Sequence, residues 1–142
     1  MSRVNIEAEL IKEEGLSLET YDDGLGNYTI GVGHLLKERS EPITLEQAGR
    51  LLKKDIMVAV EQCVKNIPCY GELDEVRQYV LISMMFNMGW NRLKTFKRFF
   101  IALENKAYSV AANEMLNSLW ARQVKRRAER LAKMMRTGGI ES

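Results

Sequence analysis

The feature that most constrains the fold is a change of period at Gly15. Before it, Val4, Ala8 and Ile11, joined by Ile6 and Leu10, recur at helical spacing; after it the chain reads EGLSLETYDDGLGNYTIGVGH from Glu14 to His34 and carries five of its ten glycines. Leu16 and Leu18 lead into the turn sequence DDGLGN. Tyr28, Ile30 and Val32 then alternate with Thr29, Gly31 and Gly33, which is the period of a strand. A helix over about residues 3 to 14, with Ser2 as N-cap and Gly15 as stop, is therefore expected to lead into a small β-hairpin, the only β-structure the pattern supports.

The remaining pattern is helical. Thr44 and Gln47 form a capping box that opens a long helix, whose apolar stripe through Ala48, Leu52, Ile56, Ala59 and Cys63 ends at Asn66 and Pro68. Further helices are expected at about Leu73 to Met88, Arg92 to Glu104, Tyr108 to Leu119 and Lys125 to Arg136. Val80 to Phe86 is apolar on nearly every side, as in a helix at the centre of a bundle.

At 142 residues without repeats or linkers, the chain suits one domain of α+β class, mostly helical and two-lobed. The expected division is a small β-containing lobe at about 15–45, a connecting helix at about 45–66, and a helical lobe at about 67–142 joined by the helix of residues 3–14.

The net charge of +2 conceals a basic end, since residues 122–141 carry seven Lys or Arg against Glu129 and Glu141. Such a face favours polyanions, but no aromatic interleaving accompanies it, so nucleic acid is not expected as a partner. Cys63 and Cys69 lack the companions of a metal site and read as free thiols. The acidic residues near the N-terminus make a signal peptide unexpected, and no apolar run of membrane-spanning length occurs. A soluble, cytosolic monomer without stable membrane insertion is expected.

The chemistry concentrates on the hairpin. Hydrolysis of a glycosidic bond needs two carboxyl groups facing one another across a cleft, one serving as acid and the other as base or stabiliser. Glu13 and Glu14 end the first helix, where the negative end of the macrodipole opposes ionisation and raises a carboxyl pKa, as a general acid requires. They lie about 100° apart round the helix, so periodicity leaves either one facing the cleft. Asp22 and Asp23 open the turn, a common structural role for Asp, yet either is placed to oppose the helix-end acid. The Thr29 hydroxyl, on the return strand, is suited to hold a water between the carboxylates. His34 is the only imidazole and reads as a structural residue held by a carboxylate, with Asp55 as the natural partner.

Glu14-Gly15 followed by Tyr21-x-Asp23-x-x-Gly26-x-Tyr28-Thr29-Ile30-Gly31-Val32-Gly33-His34-Leu35-Leu36 resembles the phage-type lysozymes of the T-even bacteriophages. The resemblance continues through Phe86-x-Met88-Gly89, Trp120-x-x-Gln123 and Arg127-Ala128-x-Arg130. It implies Glu14 as the catalytic acid, Asp23 as the second catalytic carboxylate and Thr29 as the residue placing the attacking water. It further implies an Arg127 to Glu14 ion pair, a His34 to Asp55 pair, and Leu35 and Phe86 as cleft walls that contact substrate. The implied activity is that of an endolysin: a muramidase cleaving the β-1,4 bond between N-acetylmuramic acid and N-acetylglucosamine in peptidoglycan with inversion, and needing no metal or organic cofactor. Such a protein would accumulate in the host cytoplasm and reach the wall after a holin-like protein permeabilises the membrane. The alternative is a non-catalytic module of the same fold that binds peptidoglycan or acts as a scaffold. Compared with the long form of that family, this chain is shorter between His34 and Thr44, and Phe99 and Glu114 replace small polar groove residues.

Overall fold

The computed structural model describes residues 4–22 and 27–140. These form an α+β structure, mostly helical with one three-stranded antiparallel sheet of order β1-β2-β3. The chain divides into two compact units, Asn5–Val60, and Glu61–Ser142 with Met1–Val4.

In the first unit, helix α1 (Ile6–Glu14) is capped by Asn5, whose side chain accepts a hydrogen bond from the Ala8 amide at 3.0 Å. The helix therefore starts about three residues later than the apolar spacing predicts, because Asn5 satisfies the orphan amides that the sequence pattern assigns to Ser2. Ser2 lies outside the described residues. Gly15, at φ +75°, ends the helix by donating its N–H to Ile11 O at 2.8 Å. Leu10 is fully buried.

Strands β1 (Ser17–Asp22) and β2 (Tyr28–Gly31) pair with Tyr21 opposite Thr29 and Asp22 opposite Tyr28; an irregularity lies between Ser17 and Tyr21. A third strand, β3 (His34–Leu36), extends the sheet beyond the hairpin that the alternation predicts. It pairs with β2 through Ile30 opposite His34 and Thr29 opposite Leu35. Three residues are too few to display an alternation. The strand is defined by the loop Gly31-Val32-Gly33, whose two glycines sit at φ +65° and +67° and reverse the chain.

Helix α2 (Leu45–Asn66) begins at the expected capping box, with Thr44 N–H donating to Gln47 Oε1 at 2.8 Å and Gln47 N–H to Thr44 Oγ1 at 3.1 Å. The boundary between the two units falls inside this helix, after Val60. Ala48, Leu52, Ala59 and Cys63 form its buried stripe.

The second unit contains α3 (Glu75–Met88), α4 (Trp90–Leu93), α5 (Lys97–Glu104), α6 (Tyr108–Leu116), α7 (Leu119–Val124) and α8 (Arg126–Thr137). Asp74 caps α3, and the run from Tyr79 to Met85 is buried throughout, as its all-round apolar pattern requires. Two expected helices are broken. The helix expected over 92–104 divides at residues 94–96, where Thr95 Oγ1 donates to Arg92 O at 2.7 Å and Phe96 leaves helical geometry at ψ +60°. The helix expected over 108–119 stops at Leu116, because Ser118 caps the next one: its hydroxyl donates to Met115 O and accepts from Ala121 N–H.

α8 packs chiefly against α6 and α3. Arg77 of α3 is laid across this junction. Its guanidinium lies 3.7 Å from the Tyr108 ring centroid, donates to Met135 O at 2.7 Å and Arg136 O at 3.1 Å, and pairs with Asp74 at 3.0 Å.

Candidate active site

The unit Asn5–Val60 contains Glu14, Thr29, His34, Leu35 and Asp55. Glu14 is the last residue of α1 and is half-buried. Its carboxylate lies against the loop between β2 and β3: a Cβ built on Gly33 would stand 2.9 Å from Glu14 Oε2 and 3.5 Å from its Cδ. Only a residue without a side chain leaves the carboxylate in that place. Gly33 thus supports the position of Glu14, a role the sequence shows only as a glycine before the histidine.

Thr29, in the middle of β2, is 3 % exposed, and its hydroxyl donates to Tyr21 O across the strand pair at 3.4 Å. With its proton so directed, the oxygen retains lone pairs able to accept from a water. Asp22 ends β1, and Asp23 lies outside the described residues.

His34 opens β3, and its Nδ1 stands 2.7 Å from Asp55 Oδ2 of α2. Both side chains are partly exposed. This contact fastens the sheet to the long helix and uses the only imidazole in the chain. Leu35 is 59 % exposed on β3, leaving an apolar surface in water.

Phe86, on α3, and Arg127, on α8, belong to the other unit and are each half-buried. The expected Arg127 to Glu14 ion pair would join residues of different units. Within this second unit a groove of about 520 Å³ is lined by Arg92, Arg98, Phe99, Glu114, Asn117 and Trp120, among others. Arg92 donates to Gln123 Oε1, and the Trp120 indole N–H donates to Asn87 Oδ1 at 2.8 Å. Phe99, which lines this groove, is nearly fully buried.

Among the described residues no group of three or more His, Cys, Asp or Glu could hold a metal ion, and no helix is long and apolar enough to cross a membrane. Both cysteines are free and buried. Burial pushes the Cys63 thiol up to about 12; burial, followed by the negative charge of Glu104, pushes Cys69 up to about 11. Neither is a nucleophile at neutral pH.

The sequence profile of the phage lysozyme family matches residues 11–136. Among known proteins the chain is 34% identical to "Probable T4-type lysozyme 1" of Dictyostelium discoideum, over 92% of this chain and 92% of that protein. It is 30% identical to "Probable T4-type lysozyme 2" of the same organism, over 91% of this chain and 92% of the relative. It is also 35% identical to the "Endolysin" of Salmonella phage P22, over 56% of this chain and 58% of that one.

Proposed function

Since the chain belongs to the phage lysozyme family, we propose that it is a muramidase that cleaves the β-1,4 bond between N-acetylmuramic acid and N-acetylglucosamine in peptidoglycan, with inversion at the anomeric carbon. The observation that supports this reading most is the seating of the Glu14 carboxylate on the Gly33 loop, in the same compact unit as the buried Thr29 hydroxyl.

In this mechanism Glu14 protonates the leaving glycosidic oxygen. The family resemblance assigns Arg127 a supporting role for this acid. A water then attacks the anomeric carbon from the opposite face, donating one hydrogen bond to the Asp23 carboxylate and one to Thr29 Oγ1, so that a lone pair is directed at carbon. Inversion requires the two carboxyl groups to be roughly 6.5–9.5 Å apart, wide enough for that water. The family resemblance assigns Leu35 and Phe86 to substrate contact, and His34 with Asp55 keeps β3 in register.

The proposed biological role is that of an endolysin held in the host cytoplasm and admitted to the wall by a holin-like partner. It acts as a monomer, without a metal or organic cofactor.

Clearing of chloroform-treated Gram-negative cells tests the reading. The wild type should clear them, and Glu14→Gln should be slower by roughly 10²–10⁴-fold, the usual contribution of a positioned general acid. Equal rates for the two would overturn the role of Glu14, and no clearing by wild type would leave the non-catalytic alternative. Inversion is read separately, from the anomer that appears first by NMR.

A further inference from the structure

The second unit carries another concavity, of about 450 Å³, where the last turn of α2 meets the junction of α3 and α4. Its lining includes Gln62, Lys65, Asn66, Trp90 and Asn91, with the backbone of Gly89 among them. The Gln62 and Asn91 side-chain amides, the Lys65 ammonium and the Trp90 indole N–H have no hydrogen-bond or ion-pair partner among the described residues. Asn66 uses one amide hydrogen on Gln62 O at 3.0 Å and keeps its carbonyl oxygen available. Among the described residues no carboxylate lines the site. Trp90 packs edge-on against Phe100, with ring centroids 5.9 Å apart.

We propose that this concavity binds a saccharide bearing acetamido groups and a carboxylate, the chemistry of a peptidoglycan glycan strand. An indole face complements the apolar C–H face of a pyranose. Amide side chains offer donor and acceptor together, which is what ring hydroxyls and acetamido groups require. Lys65 adds a charge-assisted contact for the carboxylate of a muramic acid. One cation among several neutral amides is a poor site for a polymer recognised by charge alone, since such binding grows with the number of cations engaged. A volume of this size lies within the range of sites for small organic ligands.

The choice of a peptidoglycan strand as ligand rests on the muramidase reading; the saccharide chemistry of the site does not. A strand is a polymer, and a second point of attachment makes rebinding at the first intramolecular, so the enzyme remains on the wall between cleavages.

The test uses the full chain carrying Glu14→Gln, so that strands are not cut, and follows side-chain N–H signals by ¹⁵N NMR. Three probes are added: peptide-free glycan strands, chitotetraose, which lacks carboxylates, and polygalacturonate, which lacks acetamido groups. Strands and chitotetraose should both shift the Trp90 indole and the Gln62 and Asn91 amides, and polygalacturonate should not. Lys65→Gln should weaken strand binding at these signals by roughly tenfold, the value of one charge-assisted contact, and leave chitotetraose unchanged. Trp90→Ala should weaken both, and the exposed Asn91→Ala should do so without touching the packing against Phe100. Silence of these signals at saturating strand overturns the proposal, as does a response to polygalacturonate equal to that for strands. The two readings fail separately: a wild type that cuts strands whose Trp90 signal never moves loses only this site, whereas shifts without cutting remove only the muramidase.

Discussion

His34 Nδ1 and Asp55 Oδ2 stand 2.7 Å apart, so the first residue of β3 is fastened to the middle of α2 across 21 positions of sequence. The contact is part-buried, and each partner removed alone leaves the other with an unpaired polar group. His34→Ala and Asp55→Ala should each lower stability by about 1–3 kcal/mol, and the double variant should cost less than their sum by about 1 kcal/mol. Thermal unfolding of all four proteins checks this. Additive losses would show that the pair is not coupled.

Gly33 and Gly31 form a matched experiment. Both have positive φ, so alanine at either should cost about 1–2 kcal/mol in backbone strain. At Gly31 the nearest atom to a new Cβ is 3.7 Å away, whereas at Gly33 it is Glu14 Oε2 at 2.9 Å. A flexible carboxylate moves aside at little cost in stability but loses its position. Gly33→Ala should therefore reduce cell clearing by at least about tenfold, and Gly31→Ala, assayed well below its melting point, should not.

Alkaline pH should destabilise the fold through its buried thiols. Cys63 is held protonated to about 12, against an ordinary value of 9.0. Between these limits the unfolded chain has released a proton that the native chain retains. Unfolding free energy consequently falls as pH rises through this window, by about 1.4 kcal/mol per pH unit for one such group, and is unaffected below it. Urea midpoints between pH 8 and 10.5 should decline more steeply for wild type than for Cys63→Ala. At pH 8 the native protein should react with thiol reagents only as fast as it opens.

Arg77 joins α3, α6 and α8 through a ring face, two carbonyls near the end of α8 and a carboxylate. Arg77→Ala should cost about 2–4 kcal/mol, from lost charge-assisted hydrogen bonds and lost stacking together. Arg77→Lys should recover less than half of that, because an ammonium cannot stack and fork at once. Chemical denaturation curves of the three proteins separate these cases.

What the sequence by itself determined lies within a few residues of its cause. The capping box at Thr44 and Gln47, the stop at Gly15 and the all-round burial of Val80 to Met85 follow from hydrogen bonds and periodicities that a single helix expresses alone. The motif holding Glu14, Asp23 and Thr29 is likewise contiguous, so the family resemblance is read from sequence, while the roles of these residues are the proposal made above. Only the tertiary structure decided the rest. Strand β3 exists because the Gly31 to Gly33 loop returns the chain to β2, and Thr95 and Ser118 end helices whose apolar spacing runs on through them. Gly33 under Glu14 and Arg77 across α8 join positions 19 and 58 or more residues apart. Such contacts depend on where folding brings distant atoms, and no local period records that.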